Sequence, residues 1–272
     1  MLEAVTVSSS GGSVDLSLWD YSEGYFVTTI EGLGPVNSSL SFVDRALFDG
    51  SRFQHGRRGS RNIVITAKLL TGFYISVTDL RKQLYSVMTP NREVDLIFRR
   101  DNEPDLTISG IVETVENDMF TADPTIVFSI ICPDPNFVQS SETVTWSTTS
   151  TATTHRRSVN YEGTVPTGVL LVAERATPMN SPTFRNDVSG EIQTLSLTTP
   201  QGAYDNIQID TRDRSRGVTS NTAGTNILTF LNQGSDWITL MPGTNDLTYS
   251  FSQTTSGQLK LTLYYDVLQD YV

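Results

Sequence analysis

Short runs of β-branched and aromatic residues, punctuated by glycine, asparagine and proline, recur along the chain and leave little room for helices. Tyr25 to Ile30, Asn62 to Leu70 and Val94 to Phe98 are such runs, and Leu106 to Val115 and Thr125 to Ile131 continue them. In the second of these, Ile63, Ile65 and Ala67 alternate with Val64, Thr66 and Lys68, the period of a strand with one wet face. One segment has the helical period instead. Leu80, Leu84, Val87 and Met88 share a face between Thr78 and Met88. Thr78 is placed to cap that helix, Asp79 suits the positive end of its dipole, and Thr89-Pro90 ends it.

A boundary follows at Cys132-Pro133-Asp134-Pro135-Asn136-Phe137, where two prolines cannot donate to a ladder. The 272 residues therefore divide into domains at 1–137 and 138–272, each long enough to bury a core without covalent staples. A Ser/Thr-rich stretch from Thr145 to Arg157 reads as an extended connector or edge strand. Beyond it come further short runs: Gly168–Ala173, Ile192–Leu197, Asn206–Asp210, Asn226–Leu231, Leu247–Phe251 and Leu259–Val267. Their spacing between turns is that of a β-sandwich with no helix. The fold class expected is mainly β: a barrel-like or sandwich first domain with one helix, then a β-sandwich.

Chemistry is sparse. The formal charge is −11, the opposite of what phosphate-neutralising nucleic-acid binders carry. The single cysteine, Cys132, excludes an internal disulfide and reads as a small buried side chain. No apolar run approaches the length of a membrane span, and the first residues lack the basic and apolar regions of a signal peptide, which points to folding in a cytoplasm. The two histidines, His55 in a turn and His155 in the Ser/Thr connector, read as solvent-exposed. With no G-x-S-x-G elbow or phosphate loop, no catalytic residue is assigned and the chain reads as no enzyme. No metal or cofactor site is assigned either. The acidic groups Asp101/Glu103/Asp105 and Asp210/Asp213 lack the glycine and terminal glutamate of a calcium loop.

One cluster stands apart. Arg52, Arg57, Arg58 and Arg61 fall within ten residues of an otherwise acidic chain. They read either as a solvated turn or as an assembly loop whose guanidinium groups pair with carboxylates of a neighbouring subunit. The charged stretch Asp210–Gly217 alternates in sign and reads as a hairpin tip.

Taken in order, several segments resemble the siphophage distal tail protein family. They are Tyr25–Pro35, Gly50–Ile65, the helix Leu80–Tyr85 with Val94–Phe98, and Ile131–Phe137. In the second half, Ile209-Asp210-Thr211, Ser235-Asp236-Trp237 and Leu240–Leu247 are similar to the galectin-like sandwich of that family, with Trp237 expected in the core. The resemblance implies a virion protein of the tail tip, assembled in the host cytoplasm. It implies a homohexamer whose ring joins the tail tube protein to the tail hub protein, with DNA passing unbound through an acidic lumen. It also implies a second domain that projects outward to receptor-binding proteins or tail fibres. The alternative is a carbohydrate-binding adhesin of the tail tip, in which the second domain contacts host glycans. A cell-wall hydrolase and a ring protein of a contractile tail are further rivals.

Overall fold

The computed structural model describes residues 1–20, 24–45, 49–71, 75–118, 124–148, 153–188, 190–200, 204–220, 225–252 and 257–272. It divides the chain into two compact units. The first comprises Met1–Gln139 together with Gln269–Val272, and the second is Ser140–Leu268.

In the first unit the strands are β1 (Leu2–Ser9), β2 (Gly12–Ser17), β3 (Gly24–Glu31), β4 (Ser38–Asp44), β5 (Ser51–Arg58), β6 (Arg61–Leu70), helix α1 (Val77–Val87), β7 (Glu93–Arg100), β8 (Leu106–Asn117), β9 (Thr125–Cys132) and the start of β10 (Phe137–Thr148). Seven of them run β8-β7-β1-β2-β3-β6-β9 and close through a β8–β9 ladder into a barrel. Closure removes the unpaired edges that an open sheet exposes. Alternation decides which residues fill the interior. Ile63, Ile65, Ala67 and Leu69 of β6 face Ile126, Phe128, Ile130 and Cys132 of β9 in one core with Val94, Leu96 and Phe98 of β7. One pairing is thin: among the described residues β2 and β3 share a single parallel pair, Ser17 with Phe26.

Helix α1 lays Leu80, Leu84 and Val87 on that core. Its cap is Ser76 rather than Thr78: the Ser76 Oγ accepts the Asp79 amide at 3.2 Å and donates to the Asp79 carboxylate at 2.7 Å. A cap must reach an amide two or three residues ahead, and only Ser76 stands three before Asp79. The Ser76 hydrogen bond also holds the Asp79 carboxyl below its ordinary range. The buried hydroxyl of Tyr25 donates to the Leu80 carbonyl at 2.6 Å, tying helix to barrel, and burial pushes that phenol up to about 12.

The second unit is a sandwich. It holds most of β10, then β11 (Thr154–Tyr161), β12 (Thr167–Arg175), β13 (Asn180–Val188), β14 (Glu191–Ser196), β15 (Asn206–Asp210), β16 (Gly217–Ser220), β17 (Thr225–Asn226), β18 (Thr239–Leu240), β19 (Gly243–Ser252) and β20 (Leu259–Gln269). One sheet is ordered β17-β16-β15-β12-β20-β10, the other β11-β19-β13-β14. Val169, Leu171, Ala173, Leu261 and Leu263 of the first pack with Val159, Phe184, Leu195, Leu247 and Tyr249 of the second.

Several local expectations change. The Ser/Thr-rich stretch becomes the ends of strands β10 and β11, with residues 149–152 outside the described ones. His155 is buried and stacks on Phe251 at 6.0 Å, because its position on β11 points into the sandwich. The run Asn226–Leu231 is not a strand. The Asn226 Oδ1 accepts the Leu228 amide at 2.9 Å and turns the chain into a short 3-10 helix, Leu228–Phe230. Trp237 packs against the core but is only half-buried. The loop after Asp210 does form a hairpin tip, with Arg212 on Asp210 at 2.7 Å and Arg216 on Asp213 at 2.6 Å.

Cys132 is fully buried beside Gly110, where a methyl group would stand 2.5 Å from Ile130 Cγ2 and 2.9 Å from the Cys132 Sγ. Burial pushes the thiol up to about 11. At neutral pH the native protein is therefore expected to resist an aromatic disulfide reagent and to react fully in denaturant. Gly110→Ala overpacks the β8–β9 seam, costing about 1–3 kcal/mol, and raises the reaction rate of Cys132 in the absence of denaturant. Thiol-labelling kinetics check both.

Candidate assembly site

The four arginines of the sequence cluster occupy three different settings. Arg61 begins β6, and its alternation points it inward with Ile63 and Ile65. The side chain is 1% exposed. A buried guanidinium must find acceptors for its donors, and it does so among backbone carbonyls. Its Nε donates to Pro135 O at 2.7 Å, and one terminal nitrogen donates to Gly32 O and Gly34 O, each at 2.5 Å. The other donates to Asp270 O at 2.7 Å and lies 3.6 Å from the Asp270 carboxylate. Its plane sits 4.4 Å over the Phe137 ring. Burial works against the charge more than Asp270 works for it, so the group lies below its ordinary value.

Three segments remote in sequence thus meet on one side chain. Gly32 belongs to the first: its φ of +86° and the 2.0 Å that a methyl group would leave to Asn62 O require glycine there. Asp134 Oδ1 accepts the Asn136 amide at 3.1 Å and shapes the second. The third, Gln269–Val272, is further held by Val272 N on Leu33 O at 3.3 Å and Gln269 on Gln139 at 2.9 Å.

Arg58, at the end of β5, pairs with the Asp270 carboxylate and donates to Asn136 Oδ1 at 2.8 Å. Arg52 and Arg57 lie farther out, exposed on β5. The segment that reads in sequence as a turn is thus one side of a two-stranded ribbon, β4 with β5, which among the described residues ladder only with each other. A register shift at Gln54 lets Phe53 and Gly56 share a face. On that face Leu40 lies against Gly56, and Phe42 meets Phe53 edge-on at 5.9 Å. Leu40, Phe42 and Phe53 are 57%, 53% and 54% exposed. The opposite face carries Ser39, Ser41, Val43, Arg52, His55 and Arg57, paired across the ribbon as Ser39 with Arg57, Ser41 with His55 and Val43 with Arg52. Sequence reading found the arginines and missed the apolar face. Its signal was Leu40 and Phe42 at period two, followed by Phe53.

A concave region of about 370 Å³ on the four-stranded sheet of the second unit is lined by Arg156, Arg157, Arg185, Asp187 and Asp246. Arg185 pairs with Asp187 at 2.8 Å, and Ser158 donates to Asp246 at 2.5 Å. Among the described residues no three metal-ligating side chains cluster, and no helix is long and apolar enough to cross a membrane.

Residues 162–266, most of the sandwich, match the family model described as siphovirus-type tail component, C-terminal domain. The second unit is thus similar to the C-terminal domain of a siphovirus-type tail component. The chain's fold, traced almost end to end, is that of a distal tail protein: it is similar to the Dit protein of phage SPP1 at 17% identity and a TM-score of 0.61, over 95% of this chain and 98% of that one. That structure is described as a paradigm of hub adsorption apparatus in phages infecting Gram-positive hosts. Chains of the phage P2 baseplate in its activated conformation are also similar. The calcium form gives 9% identity and a TM-score of 0.40 over 96% and 98% of the two chains. The strontium form gives 10% and 0.40 over 95% and 97%. No curated protein sequence matches the chain.

Removing the guanidinium leaves four backbone carbonyls without donors. Arg61→Ala is expected to destabilise the first unit by about 3–5 kcal/mol. At a few degrees per kcal/mol for a unit of this size, its Tm falls by roughly 10 °C or more. Arg61→Lys keeps the charge without the fork and recovers only part of the loss. Calorimetric melting of the variants checks the order.

Proposed function

We propose that the protein builds a closed ring of six copies at the distal end of a long non-contractile tail. The ring joins the tail tube protein to the tail hub protein and lets DNA pass. The ribbon β4–β5 carries this reading. A two-stranded ribbon alone in water is marginal at best, and this one holds Leu40, Phe42 and Phe53 exposed together. Laying that face on the next subunit buries it in a head-to-tail contact, which closes into a ring when the rotation per step allows. Arg52 and Arg57, on the other face, stay available to carboxylates of a further acidic protein. The net charge of −11 suits a lumen that does not retain DNA. Receptor-binding proteins or tail fibres are partners for the second unit in this scheme.

Light scattering after size exclusion, with negative-stain imaging, tests it. The expected particle has six times the 30.0 kDa chain mass and a central hole. Phe42→Asp with Phe53→Asp is expected to give a folded monomer that keeps its far-ultraviolet circular dichroism, because both side chains lie outside the two cores. Arg52→Glu with Arg57→Glu is expected to weaken binding of such an acidic protein most at low salt, where charge pairing is least screened. A ring that survives the double aspartate change sinks the ribbon-mediated contact. A chain that stays monomeric even with its tube and hub neighbours sinks the ring.

A further inference from the structure

At one end of β13 and β14 in the second unit lies a cavity of about 250 Å³. It is lined by Asn186, Val188, Glu191, Gln193, Met241 and Pro242. Asn186 is 1% exposed. Its amide nitrogen donates to Thr239 O at 2.8 Å and to Asn245 Oδ1 at 3.0 Å. Neither acceptor can change roles. A backbone carbonyl only accepts, and Asn245 Oδ1 already receives the Met241 amide at 2.9 Å while its own nitrogen donates to Met241 O and Gly243 O. The Asn186 amide is therefore fixed in orientation by its surroundings. Its Oδ1 is left buried, with no donor among the described residues. A buried acceptor in that state costs stability, and a donor supplied from outside recovers it.

The other polar wall groups narrow the ligand. Gln193 is committed, its Oε1 accepting the Thr239 amide at 2.8 Å and its nitrogen donating to Thr239 Oγ1 at 3.0 Å. Glu191 is exposed at the end of β14 and contributes its carboxylate, with no ion-pair partner among the described residues. What remains is an acceptor at depth, a negative charge toward solvent, and apolar surface from Val188, Met241 and Pro242. Such a wall selects a donor with positive charge on a short aliphatic stem. We propose that this cavity binds an alkylammonium group, held by Glu191 and by Asn186 Oδ1 with its methylenes against Met241 and Pro242. Free amines and a lysine side chain of another tail-tip protein share that chemistry. The site lies within the second unit and does not depend on ring formation.

Saturation-transfer NMR on the full chain tests this at any assembly size. The probes are n-butylammonium and Nα-acetyl-lysine methylamide, with n-butanol as the uncharged control. Saturation of the probe methylenes is expected with a millimolar dissociation constant, the range a handful of heavy atoms allows. Glu191→Gln, an exposed change that spares the fold, is expected to weaken binding about fivefold, the worth of one exposed ion pair. Binding of both amines points to a protein-borne lysine as occupant, and binding of butylammonium alone points to a free amine. Either result requires that butanol bind less well. No saturation by either amine, equal saturation by butanol, or an unchanged affinity in Glu191→Gln overturns the proposal.

Discussion

A guanidinium that has left water must place every N–H on an acceptor, and it can do so only if the surrounding chain is already arranged around it. Arg61 imposes that condition on the first unit. Its acceptors come from the turn at Gly32–Gly34, from the double-proline exit at Pro135, and from Asp270, over two hundred residues away in sequence. None of these segments has a ladder partner that would fix it alone. Their backbone carbonyls are satisfied by one side chain, so loss of any segment strands donors as well as acceptors. The barrel supplies the rigid floor: Arg61 is the first residue of β6, which ladders with β3 on one side and β9 on the other.

The ribbon β4–β5 depends on the same anchor. It leaves the barrel between Pro35 and Arg61, and its inner end is pinned where Arg58 meets Asp270 and Asn136 and where Gly59 N donates to Asn37 O at 3.2 Å. Beyond that point, among the described residues, the two strands ladder only with each other. A ribbon held at one end and apolar on one face leaves Leu40, Phe42 and Phe53 uncovered in the single chain. The four arginines thus divide their work across the end of β5 and the start of β6. Arg61 and Arg58 fix the base, and Arg52 and Arg57 remain on the surface.

Much of this was legible in the sequence, for reasons that differ by element. Strands β6 and β9 were readable because alternation is local and each fills a core face. Helix α1 was readable because its apolar residues repeat at helical spacing, but its cap was misplaced by two residues because Ser76 and Thr78 are both capable and only geometry chooses between them. The double-proline exit and the glycine turn were visible as punctuation. Their meeting on Arg61 was not, since nothing local distinguishes a buried arginine from a solvated one four residues earlier. His155 was misread for the same reason: a Ser/Thr-rich context suggests water, whereas the alternation of β11 turns that one side chain onto Phe251.

The two units also differ in how they handle polar groups inside, and the difference bears on what each is for. In the first, the buried polar centre is charged, saturated by backbone carbonyls and closed to solvent. In the second, the buried amides of Asn186 and Asn245 organise the turn from Met241 to Asn245 and leave one acceptor unused beside a cavity. A saturated network specifies structure, and an unsaturated one at a cavity wall leaves room for a ligand. The chain therefore saturates the buried charge of Arg61 in the first unit and leaves the Asn186 acceptor spare at a cavity wall in the sandwich.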